Sequence, residues 1–100
     1  MKRPLRLRGI SGDIKGQVWE AESILRAGRL GSLEIVLDDS SVSRRHAEVR
    51  HGDDGWHVRD LESTNGTYVN GERLSTPRII NESDQVQIGG HVFSLELTKK

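Results

Sequence analysis

Along this chain the apolar residues come in short pieces that alternate with polar ones. Leu5 and Leu7 alternate with Arg6 and Arg8, which predicts a half-buried first strand reaching Gly9. Residues 17–20 and 23–27 predict the next two strands, and Ile35-Val36-Leu37 a short apolar one that stops at Asp38-Asp39. Ala47 and Val49 share a face that excludes Glu48 and Arg50. The segment HGDDG then leads tightly into Trp56, Val58 and Asp60, which is a hairpin signal. Thr67-Tyr68-Val69 runs into Asn70-Gly71, the pair best able to supply two positive φ values in a two-residue turn. Val86 and Ile88 alternate with Gln85 and Gln87. After Gly89-Gly90, Phe93, Leu95 and Leu97 form one face of a closing strand. No segment holds a helical period for several turns. The best helix candidate, residues 18–25, is short and runs into a stretch containing Gly28 and Gly31. Roughly ten short strands bounded by Gly, Asp and Asn predict an all-β domain of two packed sheets, with function in the connecting loops.

Size and charge narrow the function. One hundred residues hold one domain, spanning 1–100, either complete or cut from a longer protein. Lys plus Arg is 15 and Asp plus Glu is 15, so the net charge of zero argues against a general polyanion binder. Acidic residues interleave with the arginines and no aromatic stands between them, so no stacking platform for nucleic acid is expected. The absence of cysteine removes disulfides, thiolate metal sites and cysteine nucleophiles. No apolar run approaches the roughly 20 residues needed to span a bilayer, so membrane insertion is not expected. MKRPLRLRG lacks the apolar core of a signal peptide, and an intracellular, cytoplasmic protein is the expectation.

Catalytic readings are weak. Ser43, His46 and Asp60 are the residue types of a hydrolytic triad, but a triad is defined by geometry and no GxSxG elbow is present. The four histidines, His46, His51, His57 and His91, show no metal-ligand spacing, although His51 and His57 flank a turn and could face each other across it. GSLEIV and GDIKG match no nucleotide-binding loop. Neither an enzyme nor a metal or cofactor site is expected. What remains is a local anion site, because planar arginine donors make paired charge-assisted bonds to phosphate and need only a local positive field.

Ordered motifs decide among the candidates. They are LRLRGISGDIKGQVWEAE over 5–22, Gly28-Arg29, IVLDDSSVSRRHAEV over 35–49, DLESTNGTYVNGERL over 60–74 and DQVQIGGHVFSL over 84–95. Together they closely resemble the forkhead-associated (FHA) domain family across essentially the whole chain. The resemblance implies a β-sandwich of about eleven strands in two mostly antiparallel sheets, binding phosphothreonine peptides through loops at one end. It implies that Arg29 contacts phosphate, Ser43 donates to a phosphate oxygen, Thr64 lines the phosphothreonine pocket and Asn65 holds the peptide main chain. His46 is implied to brace the loop, and Gly28, Gly66, Asn70 and Gly71 to be scaffold. Arg44 fills a slot that is polar in some members, and two roles are open for it, reaching the ligand or lying on the surface. Arg45 is expected to begin the next strand, where alternation places it on the opposite side from Arg44. Glu34 stands where the family often has a shorter Asp or Asn. The expected partner is a threonine-phosphorylated protein or peptide made by a Ser/Thr kinase, in signal transduction. A phosphorylation-independent scaffold or self-association domain is the alternative, and the oligomeric state is open.

Overall fold

A computed structural model of the chain describes residues 3–98, and among these every extended element is a β-strand. Two sheets pack face to face. The first contains β1 (Leu5–Gly9), β2 (Val18–Ala21), β7 (Thr67–Val69), β8 (Glu72–Arg73), β10 (Gln85–Ile88) and β11 (His91–Leu97), in the order β2-β1-β11-β10-β7-β8. The second contains β3 (Ile24–Gly28), β4 (Ile35–Val36), β5 (Ala47–Gly52), β6 (Gly55–Asp60) and β9 (Arg78–Ile79), in the order β4-β3-β5-β6-β9. Only the β3–β4 pairing is parallel among the described strands. A single 3₁₀ turn, Gly12–Ile14, interrupts the connection from β1 to β2.

The alternation read from the sequence becomes the core. Leu5, Leu7, Val69, Val86, Ile88, Phe93 and Leu95 point inward from the first sheet; Leu25, Ala27, Ala47, Val49, Trp56 and Val58 meet them from the second. Phe93 is fully buried, and Trp19 packs edge-on against it with ring centres 5.6 Å apart. Burying an aromatic of this size contributes about 2–3 kcal/mol, so the β11 face is a principal anchor of the sandwich.

The strands expected at 17–20 and 23–27 form as β2 and β3, with Trp19 and Ala21 alternating against the core, so the short helix candidate over 18–25 is not a helix. Two expectations are corrected. His51 and His57 do not face each other. Register pairs His51 with Trp56 and Arg50 with His57, and the period of two sends the histidines to opposite faces. Arg45 does not begin a strand. The strand starts at Ala47, and both Arg44 and Arg45 stand exposed in the preceding loop.

Register gathers one set of loops at one end. Ala27 lies opposite Ala47, Ala47 opposite Asp60, and Ile88 opposite both Thr67 and His91. The connections 29–34, 37–46, 61–66 and 89–90 therefore leave the sandwich on the same side.

Candidate functional site

Gly28 ends β3 directly beneath the loop containing VSRRH. A Cβ there would sit 2.1 Å from the carbonyl oxygen of Arg44, so only glycine allows this approach. The ladder then continues past the strand: the N–H of Arg29 donates to Ser43 O at 3.1 Å and that of His46 to Ala27 O at 2.9 Å. Arg29 is thus held by its main chain while its side chain is exposed. Glu34 accepts from the Arg26 N–H at 2.7 Å and pairs with the Arg26 side chain. It steadies the opposite end of the β3–β4 corner.

His46 joins the two motifs. The ring is fully buried, accepts from the Ser43 N–H at Nδ1 (3.0 Å) and donates from Nε2 to Gly66 O (2.8 Å). A neutral ring protonated at Nε2 satisfies both bonds. With both nitrogens engaged by main chain, His46 has none left for a nucleophile, and Asp60 is turned elsewhere. The triad geometry is therefore absent. Ser43 adds a second link, its Oγ accepting from the Thr64 N–H at 3.1 Å while its own proton stays available for donation. Asn65 adds a third, donating from Nδ2 to Ser41 O at 2.9 Å.

The turn carrying Thr64 and Asn65 is built on Asp60, a role that sequence reasoning missed. Its carboxylate accepts from Ser63 N–H at 3.0 Å, from Ser63 Oγ at 2.5 Å and from Thr67 Oγ1 at 2.7 Å. Ser63 Oγ in turn accepts from Gly66 N–H at 2.9 Å. Burial pushes the Asp60 carboxyl up, but the bonds from Ser63 and Thr67 outweigh it and hold the group below its ordinary 3.8. The signal was present in the spacing: an Asp with Ser three residues on can accept from that residue's N–H, as a helix N-cap does.

A parallel device holds the other wall. Asp39 accepts from both the N–H and hydroxyl of Ser41 and contacts His91, while Ser41 Oγ accepts from the Gly90 N–H at 3.1 Å. The Ser41 hydroxyl holds Asp39 below its ordinary 3.8; burial opposes this, and His91 reinforces it. Asn70 and Gly71 stand apart from these loops. Their φ values of 52° and 85° make the hairpin turn at the far end of β7, about 10 Å from the loop end by strand length.

Asp38, Asp39 and Glu62 stand on these loops too, but among the described residues the arginines at this end are not ion-paired. Arg3, Arg6, Arg8, Arg26, Arg50 and Arg78 each have a carboxylate within ion-pair distance. Among the described residues Arg29, Arg44, Arg45, Arg59 and Arg73 have none. The first three sit on the same two loops, beside the Ser43 hydroxyl. The resulting site is a set of convergent donors on loop tips; a groove of about 450 Å³ lined by Arg59, Leu61, Glu62, Leu74 and Pro77 runs beside it. No cluster of side chains fit to hold a metal occurs among the described residues. No helix among them is long and apolar enough to cross a membrane.

Comparison with known proteins points the same way. The family model described as FHA domain matches residues 25–89. The oxoglutarate dehydrogenase inhibitor of Corynebacterium diphtheriae is 49% identical over 63 residues, 63% of this chain and 43% of that protein. The glycogen accumulation regulator GarA of Mycobacterium tuberculosis is 47% identical over 68 residues, 68% of this chain and 41% of GarA. The chain thus corresponds to less than half the length of these relatives. Among solved structures, Mycobacterium tuberculosis EmbR in complex with a low-affinity phosphopeptide superposes with a TM-score of 0.87 at 29% identity. That match covers 98% of this chain and 25% of EmbR.

Proposed function

Because the chain belongs to the FHA domain family, we propose that it is a phosphothreonine-dependent recognition module that acts by binding and not by catalysis. The partner is a threonine-phosphorylated protein, the product of a Ser/Thr kinase, and residues 1–100 serve as one binding domain. One observation carries the reading above the rest. Arg29, free of any carboxylate, stands on a braced loop beside a serine hydroxyl whose proton is unspent.

Each residue follows from its place. Arg29 supplies the principal charge, and because its main chain is already fixed, ligation orders only its side chain. Ser43 donates to a phosphate oxygen, and Arg44 reaches the anion from the same loop. Thr64 lines the pocket, discriminating the threonine methyl group. Asn65 holds the peptide main chain with the amide atoms that its bond to Ser41 leaves unused. His46, Gly28 and Gly66 keep the two walls in register, and Asn70-Gly71 secures the hairpin behind them.

Calorimetry with a degenerate phosphothreonine peptide mixture, beside its unphosphorylated and phosphoserine counterparts, tests the reading. Saturable binding is expected for phosphothreonine, weaker binding for phosphoserine and none without phosphate. Equal binding of the phosphorylated and unphosphorylated mixtures would overturn the reading in favour of a phosphorylation-independent scaffold.

A further inference from the structure

The Asn70-Gly71 turn sets Tyr68 opposite Arg73 and Val69 opposite Glu72, and Leu74 N–H returns to Thr67 O at 2.8 Å. Glu72 is drawn to Arg78 at 2.9 Å, which leaves Arg73 without a carboxylate among the described residues. Its side chain crosses Gly66 instead. A Cβ at Gly66 would lie 2.7 Å from Arg73 Nε and 3.0 Å from its Cζ. Gly66 is required by its φ of 90°, and its bare Cα is the surface on which the guanidinium of Arg73 rests. One terminal nitrogen points at Thr64 O from 3.5 Å, too far to satisfy a guanidinium.

A planar cation with most of its donors unspent therefore lies on the turn that carries Thr64 and Asn65. Ser43 approaches that turn from the N–H of Thr64, and Arg73 approaches it from the carbonyl. A phosphate held between Arg29 and Ser43 leaves Arg73 on the other flank, uncompensated and exposed. The chemistry that suits its fork is a second, planar anion reached by paired hydrogen bonds, namely a carboxylate. The hairpin fixes its base and Gly66 supports its stem, so little freedom is lost on pairing.

Resting on the phosphothreonine reading above, we propose that Arg73 is a specificity-determining residue that selects an Asp or Glu side chain flanking the phosphothreonine. The test uses alanine-based phosphothreonine peptides carrying one Asp moved through the flanking positions, each with an Asn control. They are titrated against the wild type, Arg73→Gln and Arg73→Lys. At one position the wild type favours Asp over Asn by about fivefold, and added salt shrinks the preference. The preference vanishes in Arg73→Gln and survives in part in Arg73→Lys, while all three proteins bind the Asn peptide equally. If Arg73→Gln fails to fold, Arg73→Lys decides alone, since it keeps charge and stem but loses the fork. Equal losses on Asp and Asn peptides would make Arg73 a mere prop for the Gly66 turn and overturn the proposal. A wild type indifferent to Asp at every position would overturn it as well. A wild type that ignores the phosphate itself would overturn the parent reading, and this one with it.

Discussion

Arg6 and Arg8 on β1, and Arg29 and Arg44 on the loops, are the same residue type in opposite settings. On the outer face of the first sheet Arg6 lies between Glu20 at 2.5 Å and Glu96 at 3.8 Å, and Arg8 reaches Glu96 at 3.6 Å. Register makes these pairs, since Arg6 stands opposite Glu20 on one side and Glu96 on the other. At the loop end Asp39 is engaged by His91, and no carboxylate comes within ion-pair distance of Arg29 or Arg44 among the described residues. A chain of zero net charge thus carries a compensated ladder on one face and guanidinium groups without an ion-pair partner at one end. Total charge reported neither; pairing did.

The contrast breaks most sharply at Arg29. Arg29→Ala is expected to weaken phosphothreonine peptide binding by about a hundredfold, roughly 3 kcal/mol, with an unchanged melting temperature. Titration calorimetry on the folded variant reads this, and an unaltered affinity would equate Arg29 with the ladder arginines. Next in size is His46→Ala, which leaves Ser43 N–H and Gly66 O without partners and opens a cavity. Urea denaturation should show a loss of about 2 kcal/mol, with a parallel fall in affinity as the two walls part. A stable variant with normal affinity would show that the walls hold without the ring.

Acid separates the regions by a smaller margin. The folded Asp60 carboxyl lies below its ordinary 3.8, so its stabilisation is complete above that value and disappears as pH falls through the lowered one. Asp60→Asn should therefore flatten the acid limb of the stability curve below about pH 4. Superimposable acid limbs for wild type and Asp60→Asn would remove Asp60 from its role as the keystone of the turn. The smallest effect belongs to the ladder: Arg6→Gln should change stability by no more than about 0.5 kcal/mol and affinity not at all. A marked drop in affinity would mean that the ligand also uses the sheet face.

Strand alternation made much of the fold legible, because residues such as Leu5, Leu7, Phe93 and Leu95 declare their face at a period of two. Residues 18–25 were ambiguous because Val18, Ala21 and Leu25 satisfy a helical spacing as readily as two short strands. Strands as brief as β8 and β9 leave no period to read, and Arg73 went unremarked with them. The resemblance named Arg29, Ser43, Thr64 and Asn65; the sequence alone could not join VSRRH to STNG. That junction depends on tertiary bonds, from His46 to Gly66 and from Thr64 to Ser43, which no local pattern encodes. The free state of Arg29 was equally hidden, since a carboxylate's absence in space is invisible along a chain rich in Asp and Glu.

The most direct measurement is an amide NMR titration of the labelled chain with a degenerate phosphothreonine peptide mixture. The signals of Arg29, Ser43 and residues 64–66 are expected to move in proportion to added phosphopeptide, while Arg6, Arg8 and Glu96 stay still. The unphosphorylated mixture should move none of them. Shifts on the β1–β11 face, or the same shifts without phosphate, would contradict the assignment of the loop end as a phosphate-dependent site.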